Sequence, residues 1–257
     1  MKELFGFFDA YTLRARVFPA LVAGLPTLAL LAVVVPWSRL GPPHAIAVAA
    51  GLVLLFAFAD VARRTGRHVQ TKLGTGATPE QWRWDNPDIS EAAKDRYRAF
   101  VAQQLRRPAP TADEELADPA RARDFYLGAG NWLRQQTRDS RTFKLLFGEN
   151  VTYGFRRNLL GLKVTALVCN AAVAAFCGAI LHFRPPYFVA LPDMDEKLVA
   201  VLAADLLHSL YLLLAVNAAG VREASRAYGR ELIVSCEALM TRRVRNPHTG
   251  AGANGKS

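Results

Sequence analysis

Charged residues leave four long gaps along this chain. Positions 17–38 (22 residues), 40–59 (20) and 164–183 (20) carry none, and 198–221 (24) carries only Asp205. A hydrocarbon core about 30 Å thick needs roughly 20 apolar residues per helix, so each gap has the length of a membrane span. A buried helix of a soluble core would run about 10 to 14 apolar residues and show a polar face. None of these gaps shows one. The pattern predicts an all-α fold with four transmembrane helices in two hairpins, 17–62 and 164–219. The intervening segment, 63–163, is long enough for an inserted cytoplasmic helical domain of about 100 residues.

Smaller features refine each element. In "MKELFGFFDAYTLRARVF", Leu4, Phe8 and Tyr11 share one helical stripe, which predicts an interfacial amphipathic helix over 1–16, with a gating role as the alternative. Pro26 lies mid-span and should kink the first helix by removing a backbone donor. The third span is rich in small residues: Ala171, Ala175 and Ala179 recur at four, beside Ala174 and Gly178, a pattern that lets helices approach closely in lipid. The fourth is leucine-rich. Beyond it, Val221, Ala224, Tyr228, Leu232, Cys236 and Leu239 keep a helical period, so the span is predicted to continue over 220–245 to about Arg243. Residues 246–257 read as a disordered tail. In the central segment, "DISEAAKDRYRAFVAQQL" predicts a helix packed through Ile89, Ala93, Tyr97, Phe100 and Val101, with Asp88 or Ser90 as cap. "PARARDFYLGAGNWLRQQTRD" predicts a second helix, and "RRPAPTADEELADPA" a proline-broken, acidic connection.

Charge sets the orientation. The first span is too long for a signal h-region, and a second span follows at once. The 63–163 segment holds 19 Lys or Arg against 12 Asp or Glu, the C-terminal tail is also basic, and the short connections carry little positive charge. The positive-inside rule then places the central segment and both termini on the cytoplasmic side. Much of the net charge of +10 is therefore topological. Cys169 and Cys177 lie inside the third span and Cys236 on the cytoplasmic side; they lack metal-ligand spacing and a reducing cytoplasm argues against a disulfide, so they read as small packing residues.

No catalytic constellation emerges, which argues against an enzyme, a metal site or a cofactor. "GTGATP" lacks the strand-loop-helix setting of a dinucleotide loop and reads as a turn. Inside the spans, Asn170, Asp205 and His208, with Ser209, are polar groups where polarity is costly. They are candidates for a pore or an intramembrane polar site, unless Asp205 snorkels to the outer interface or is a neutral acid bonded to His208. Just before the third span, "YGFRRNLLGLK" sets Tyr153, Arg156, Arg157 and Asn158 beside Gly154 and Gly161, which reads as an elbow with sharp turns or close helix contacts. Arg222, Arg226 and Arg230 form a row on one helix face. Trp82 and Arg83 interleave with Trp84, Tyr97, Arg98 and Trp132, as suits stacked bases and phosphates. The plainer reading makes these arginines topogenic and the tryptophans a small core.

"GRHVQTKLGTGATPEQWRW", "QQTRDSRTFKLLFGEN" and "NVTYGFRRNLLGLK" together resemble segments of four-span bacterial membrane proteins. The chain is thereby similar to transmembrane effectors of nucleotidyltransferase-linked anti-phage systems of the Hailong type. Thr75-Gly76-Ala77 departs from the tighter glycine pair of that pattern. The resemblance implies a homo-oligomeric channel, a nucleotide or single-stranded oligonucleotide ligand, and a nucleotidyltransferase partner system, with membrane lipid as the surround. The alternative is a membrane scaffold or transporter accessory protein that binds a protein partner through its central domain.

Overall fold

The computed structural model describes residues 10–35, 44–76 and 79–245, and these are organised entirely by helices. Leu4, Phe8, positions 36–43, Ala77, Thr78 and the 246–257 tail lie outside the described residues. The chain divides into two compact units, Met1–Leu73 with Val151–Arg222, and Gly74–Asn150 with Glu223–Ser257.

The first unit contains α1 (Ala10–Ala23) and α2 (Leu25–Val34), which are bent by 60° at Gly24. Pro26 in the first turn of α2 has no N–H to give Val22, so the helix breaks there as its sequence predicts. Next come α3 (His44–Leu73), most of α8 (Lys144–Phe183), the short α9 (Pro186–Val189), α10 (Met194–Leu214) and the start of α11 (Ala218–Arg245). Among the described residues, α8 and α10 are long and apolar enough to cross a membrane, and the bent α1–α2 pair makes a third if it is one span. These helices mark a membrane protein. The remaining predicted span, 40–59, lies in part outside the described residues.

Two apolar layers hold this unit together. Ala20, Ala23, Ala62, Leu159, Leu162, Ala166, Leu212 and Val216 form one. Val173, Cys177, Ile180, Met194, Leu198 and Val201 form the other, with Ala29, Leu30 and Val33 of α2 packed against it.

Two sequence expectations change here. The predicted elbow around Gly154 and Gly161 is uninterrupted helix: α8 runs for 40 residues. Its glycines serve close contacts instead. A Cβ on Gly161 would lie 2.7 Å from the Gly66 nitrogen and the Thr65 carbonyl carbon of α3, and one on Gly154 would lie 2.8 Å from the Ala15 Cβ. Conversely, the fourth span does not continue without interruption. It stops at Leu214, and α11 starts anew at Ala218 with the Asn217 side chain accepting from the Gly220 N–H at 2.9 Å. Asn217 competes with the helix for backbone partners, as asparagine does, and so favours a cap over continuation.

The second unit contains α4 (Pro79–Trp82), α5 (Glu91–Leu105), α6 (Ala112–Ala117), α7 (Pro119–Gln136), the first turns of α8 and the rest of α11. α5 follows Ser90 and α7 begins with Pro119 after Asp118, whose carboxylate accepts from the Arg121 N–H. α6 occupies the stretch expected to be an irregular connection. Thr111 and Glu114 make a full capping box there, a signature present in the sequence as Thr-x-x-Glu.

Two cations are buried in this unit. Lys94 is fully buried, and its Nζ donates to the carbonyls of Arg83, Trp84 and Asn86 at 2.9, 3.1 and 2.6 Å. Arg98 donates to the Trp82 carbonyl, lies 4.0 Å from the Trp84 ring centroid and pairs with Asp95. Together they hold the loop after α4 by its carbonyl oxygens. Lys94→Met would leave those acceptors unmatched, each at about 1–3 kcal/mol. We expect about 3 kcal/mol of lost stability, measured by denaturant unfolding of the full chain in detergent. A change below about 1 kcal/mol would mean that water replaces the ammonium.

Candidate functional site

The sequence-predicted residues fall in three groups, two in the first unit and one in the second. The first group is the threshold of the third span. Asn158 is fully buried and its Nδ2 donates to the Ala15 carbonyl at 2.5 Å. That carbonyl needs a side-chain donor because the residue four positions on is Pro19, which has no N–H. A π-helical turn over Leu13–Val17 marks the same place. Arg157 donates from Nη1 to the Gln70 side chain at 2.5 Å and from Nε to Asn158 Oδ1 at 3.3 Å, and its guanidinium lies 5.3 Å from the centroid of the buried Tyr153 ring. Tyr153, Arg157 and Asn158 are thus one packed array that ties α8 to α1 and α3.

Arg156 faces the other way. Its Nη1 donates to the Gly220 carbonyl at 3.0 Å, while Lys163, two turns on, donates to Val216 at 2.9 Å and Leu213 at 3.3 Å. Helix C-termini leave up to four carbonyls without intrahelical donors and favour cations, which accounts for Lys163 at the end of α10, whereas Arg156 meets the first turn of α11. The interruption between α10 and α11 is therefore held by two cations of α8. Its sequence signal was the basic threshold itself, but the acceptors were invisible because they are backbone. Arg222 is exposed on the first turn of α11.

No protein-family model, curated protein or solved structure matches the chain. Function rests on the geometry and on the motifs.

The second group belongs to the other unit. Trp82 is fully buried and stacked on Tyr126, with ring centroids 6.3 Å apart and planes 6° from parallel. It presents no ring face to a base. Arg83 is held by Asp85 through two hydrogen bonds of 3.0 and 3.1 Å, and lies 3.6 Å from the buried Glu115 carboxylate. A cleft of about 280 Å³ opens beside it, lined among others by Glu80, Arg83, Glu115, Arg123 and Tyr126. Burial and the hydrogen bond to Glu115 hold the Tyr126 hydroxyl above its ordinary range, so it stays a donor. The mixed charge of this cleft makes it a poor cradle for a polyanion. Arg226 is exposed, and Arg230 donates weakly to the Asp88 carbonyl at 3.3 Å. Cys236 is fully buried, which pushes its thiol up to about 12 and makes it a packing group.

The third group is intramembrane. Asn170 of α8 donates from Nδ2 to Ser209 Oγ of α10 at 2.8 Å and lies 3.0 Å from His208 Nδ1. Asp205, one turn before His208, is 5% exposed. It faces protein in this structure, which does not fit snorkelling to the outer interface.

Proposed function

We propose that the chain is a homo-oligomeric, ion-conducting effector of the bacterial inner membrane, controlled from the cytoplasm by an anionic, nucleotide-like signal. In this reading four spans cross the bilayer, and the termini and residues 63–163 are cytoplasmic. The exposed apolar face of α3, with Val53 67%, Leu54 60% and Phe56 51% exposed, supports a fourth span in contact with lipid. The observation that carries control is the pair of α8 cations on backbone carbonyls at the α10–α11 interruption. A phosphate would offer the Arg156 guanidinium two charged acceptor oxygens, where Gly220 gives one neutral oxygen. An anion that takes Arg156 from Gly220 would loosen the start of α11, just beyond the cytoplasmic end of α10. Anti-phage defence beside a nucleotidyltransferase rests on the motif resemblance. The scaffold reading draws on Trp82, since a core ring gives no platform for bases.

The test is ion flux from liposomes carrying the full chain, with a single-stranded oligonucleotide or a mononucleotide added outside. The expected result is a flux that the anion changes severalfold, in either direction. Ala175, exposed on α8, lies on the small-residue stripe, so Ala175→Leu should reduce both oligomer size and flux by overpacking a close helix contact. Absence of flux with and without anions favours the scaffold reading, and an unchanged oligomer assigns the stripe to lipid.

A further inference from the structure

Between the two apolar layers of the membrane unit lies a polar one. It consists of Asn170, Asp205 and His208, which are 2%, 5% and 8% exposed, with the half-buried Ser209. Leu162, Ala166 and Leu212 flank it along the helices on one side, and Val173, Cys177 and Val201 on the other. Asn170 lies seven residues past Lys163, and Asp205 eight past Lys197, so each is about 10–12 Å along its helix from the nearest cation. That places the layer deep within the spans rather than at either rim.

Three atoms of this layer are buried without a hydrogen-bond partner: Asn170 Oδ1, Asp205 Oδ1 and His208 Nε2. Each orphan of this kind costs free energy until it is matched, and an uncompensated carboxylate costs the most. Their donor and acceptor roles are set by the bond that is present. With Asn170 Nδ2 donating to His208 Nδ1, a neutral imidazole carries its proton on Nε2, so the orphans are one donor and two acceptors. If the amide is turned over, its nitrogen becomes the orphan donor, while Nε2 and the carboxylate oxygen become the acceptors. Either arrangement gives one donor and two acceptors. A bare metal cation cannot match a donor. Water has the matching count of roles, accepting one bond and giving two.

We propose that Asn170, Asp205 and His208 form a hydrated proton-binding site within the membrane-spanning helices, in which a bridging water joins the three side chains and a proton is exchanged between the Asp205 carboxylate and the His208 imidazole. The proton enters from bulk water as the site is acidified and returns there when it is made alkaline; no other bond changes. Few other groups compete for it. Cys177 of α8 is the further titratable group that interacts with Asp205. α2, which packs on α10, contains no titratable residue, and Lys163 is engaged a turn beyond, at Leu213 and Val216. The site needs only that α8 and α10 cross the membrane, whether or not the protein conducts ions.

Infrared difference spectra of the full chain in lipid vesicles, taken across pH steps in H2O and D2O, test this. A protonated-carboxyl band should appear on acidification, shift in D2O within the time of exchange with bulk water, and vanish in Asp205→Asn. His208→Gln should move its midpoint by about one pH unit or more, as loss of a coupled titrating neighbour predicts. A band that persists in Asp205→Asn, or fails to shift in D2O, would overturn the site. So would a band that responds to sodium or potassium at constant pH, which would make the guest a metal cation. If Asp205→Asn does not fold, Asp205→Glu supplies the assignment, because it keeps a carboxyl in place: the band should persist at a shifted frequency, and an unchanged band would overturn the site.

Discussion

Gly161→Ala is expected to destabilise the membrane unit by about 3 kcal/mol, at the upper end of ordinary overpacking costs. The added methyl would meet the Gly66 nitrogen and the Thr65 carbonyl carbon at 2.7 Å, and Thr65 Oγ1 at 2.8 Å. Two of these are backbone atoms, so no rotamer change relieves the contact and α3 and α8 must separate. Separation would also pull Arg157 from Gln70, since that bond joins the same two helices at 2.5 Å. Gly66→Ala should act through a different route, because its methyl would displace the Asn158 side chain, only 1.9 Å away at Oδ1, and break the bond to Ala15. Gly178→Ala is the control: nothing lies within 4 Å of its added methyl, so it should show only the small gain of alanine over glycine inside a helix. The measurement is the thermal midpoint of the intact protein in detergent, followed by size-exclusion elution. A Gly161→Ala midpoint equal to that of Gly178→Ala would show that the helices do not approach here as described.

The sequence displayed these features unevenly. The apolar gaps located α8 and α10 because a 20-residue run without charge has few other uses, and Pro26 located the bend because a missing N–H acts locally. The capping box at Thr111 was equally legible, yet its proline-rich surroundings concealed it. Other features depended on partners far away in the chain. Gly161 reads as a hinge or a contact with equal ease until Gly66 is seen opposite it. Lys94 and Arg98 lie off the packing stripe that the sequence predicts for their helix, and their burial depends on loop carbonyls that carry no sequence signal. The interruption at 215–217 was missed for a related reason: the apolar period survives across it, and the cations that hold it lie on another helix.

That distinction also reorders the candidate arginines. Arg156 and Arg157 have assigned protein acceptors and contribute to the packing of the membrane unit, so their substitution would confound binding with folding. Arg222 and Arg226 are exposed, one turn apart on α11, and can be altered with less risk to the fold.

Arg222→Lys with Arg226→Lys is accordingly expected to weaken oligonucleotide binding about tenfold or more if these residues grip phosphates. Guanidinium offers a planar pair of donors that matches two phosphate oxygens, and ammonium offers only a compact charge. If the two arginines serve topology alone, lysine should replace them without loss, because the positive-inside rule counts charge and not shape. Salt dependence separates the readings further. Each phosphate neutralised on a single strand contributes about 0.7 to the fall of log affinity with log salt, so two contacts contribute about 1.4. The lysine pair should retain most of that slope at lower affinity, whereas Arg222→Glu with Arg226→Glu should abolish it. Binding is measured with the intact, reconstituted protein after correct insertion has been verified. Equal affinity of the lysine pair and the unaltered chain would return both arginines to a topological role. No binding by the unaltered chain at low salt would remove the nucleic-acid ligand altogether, and a protein partner would then be the signal to seek.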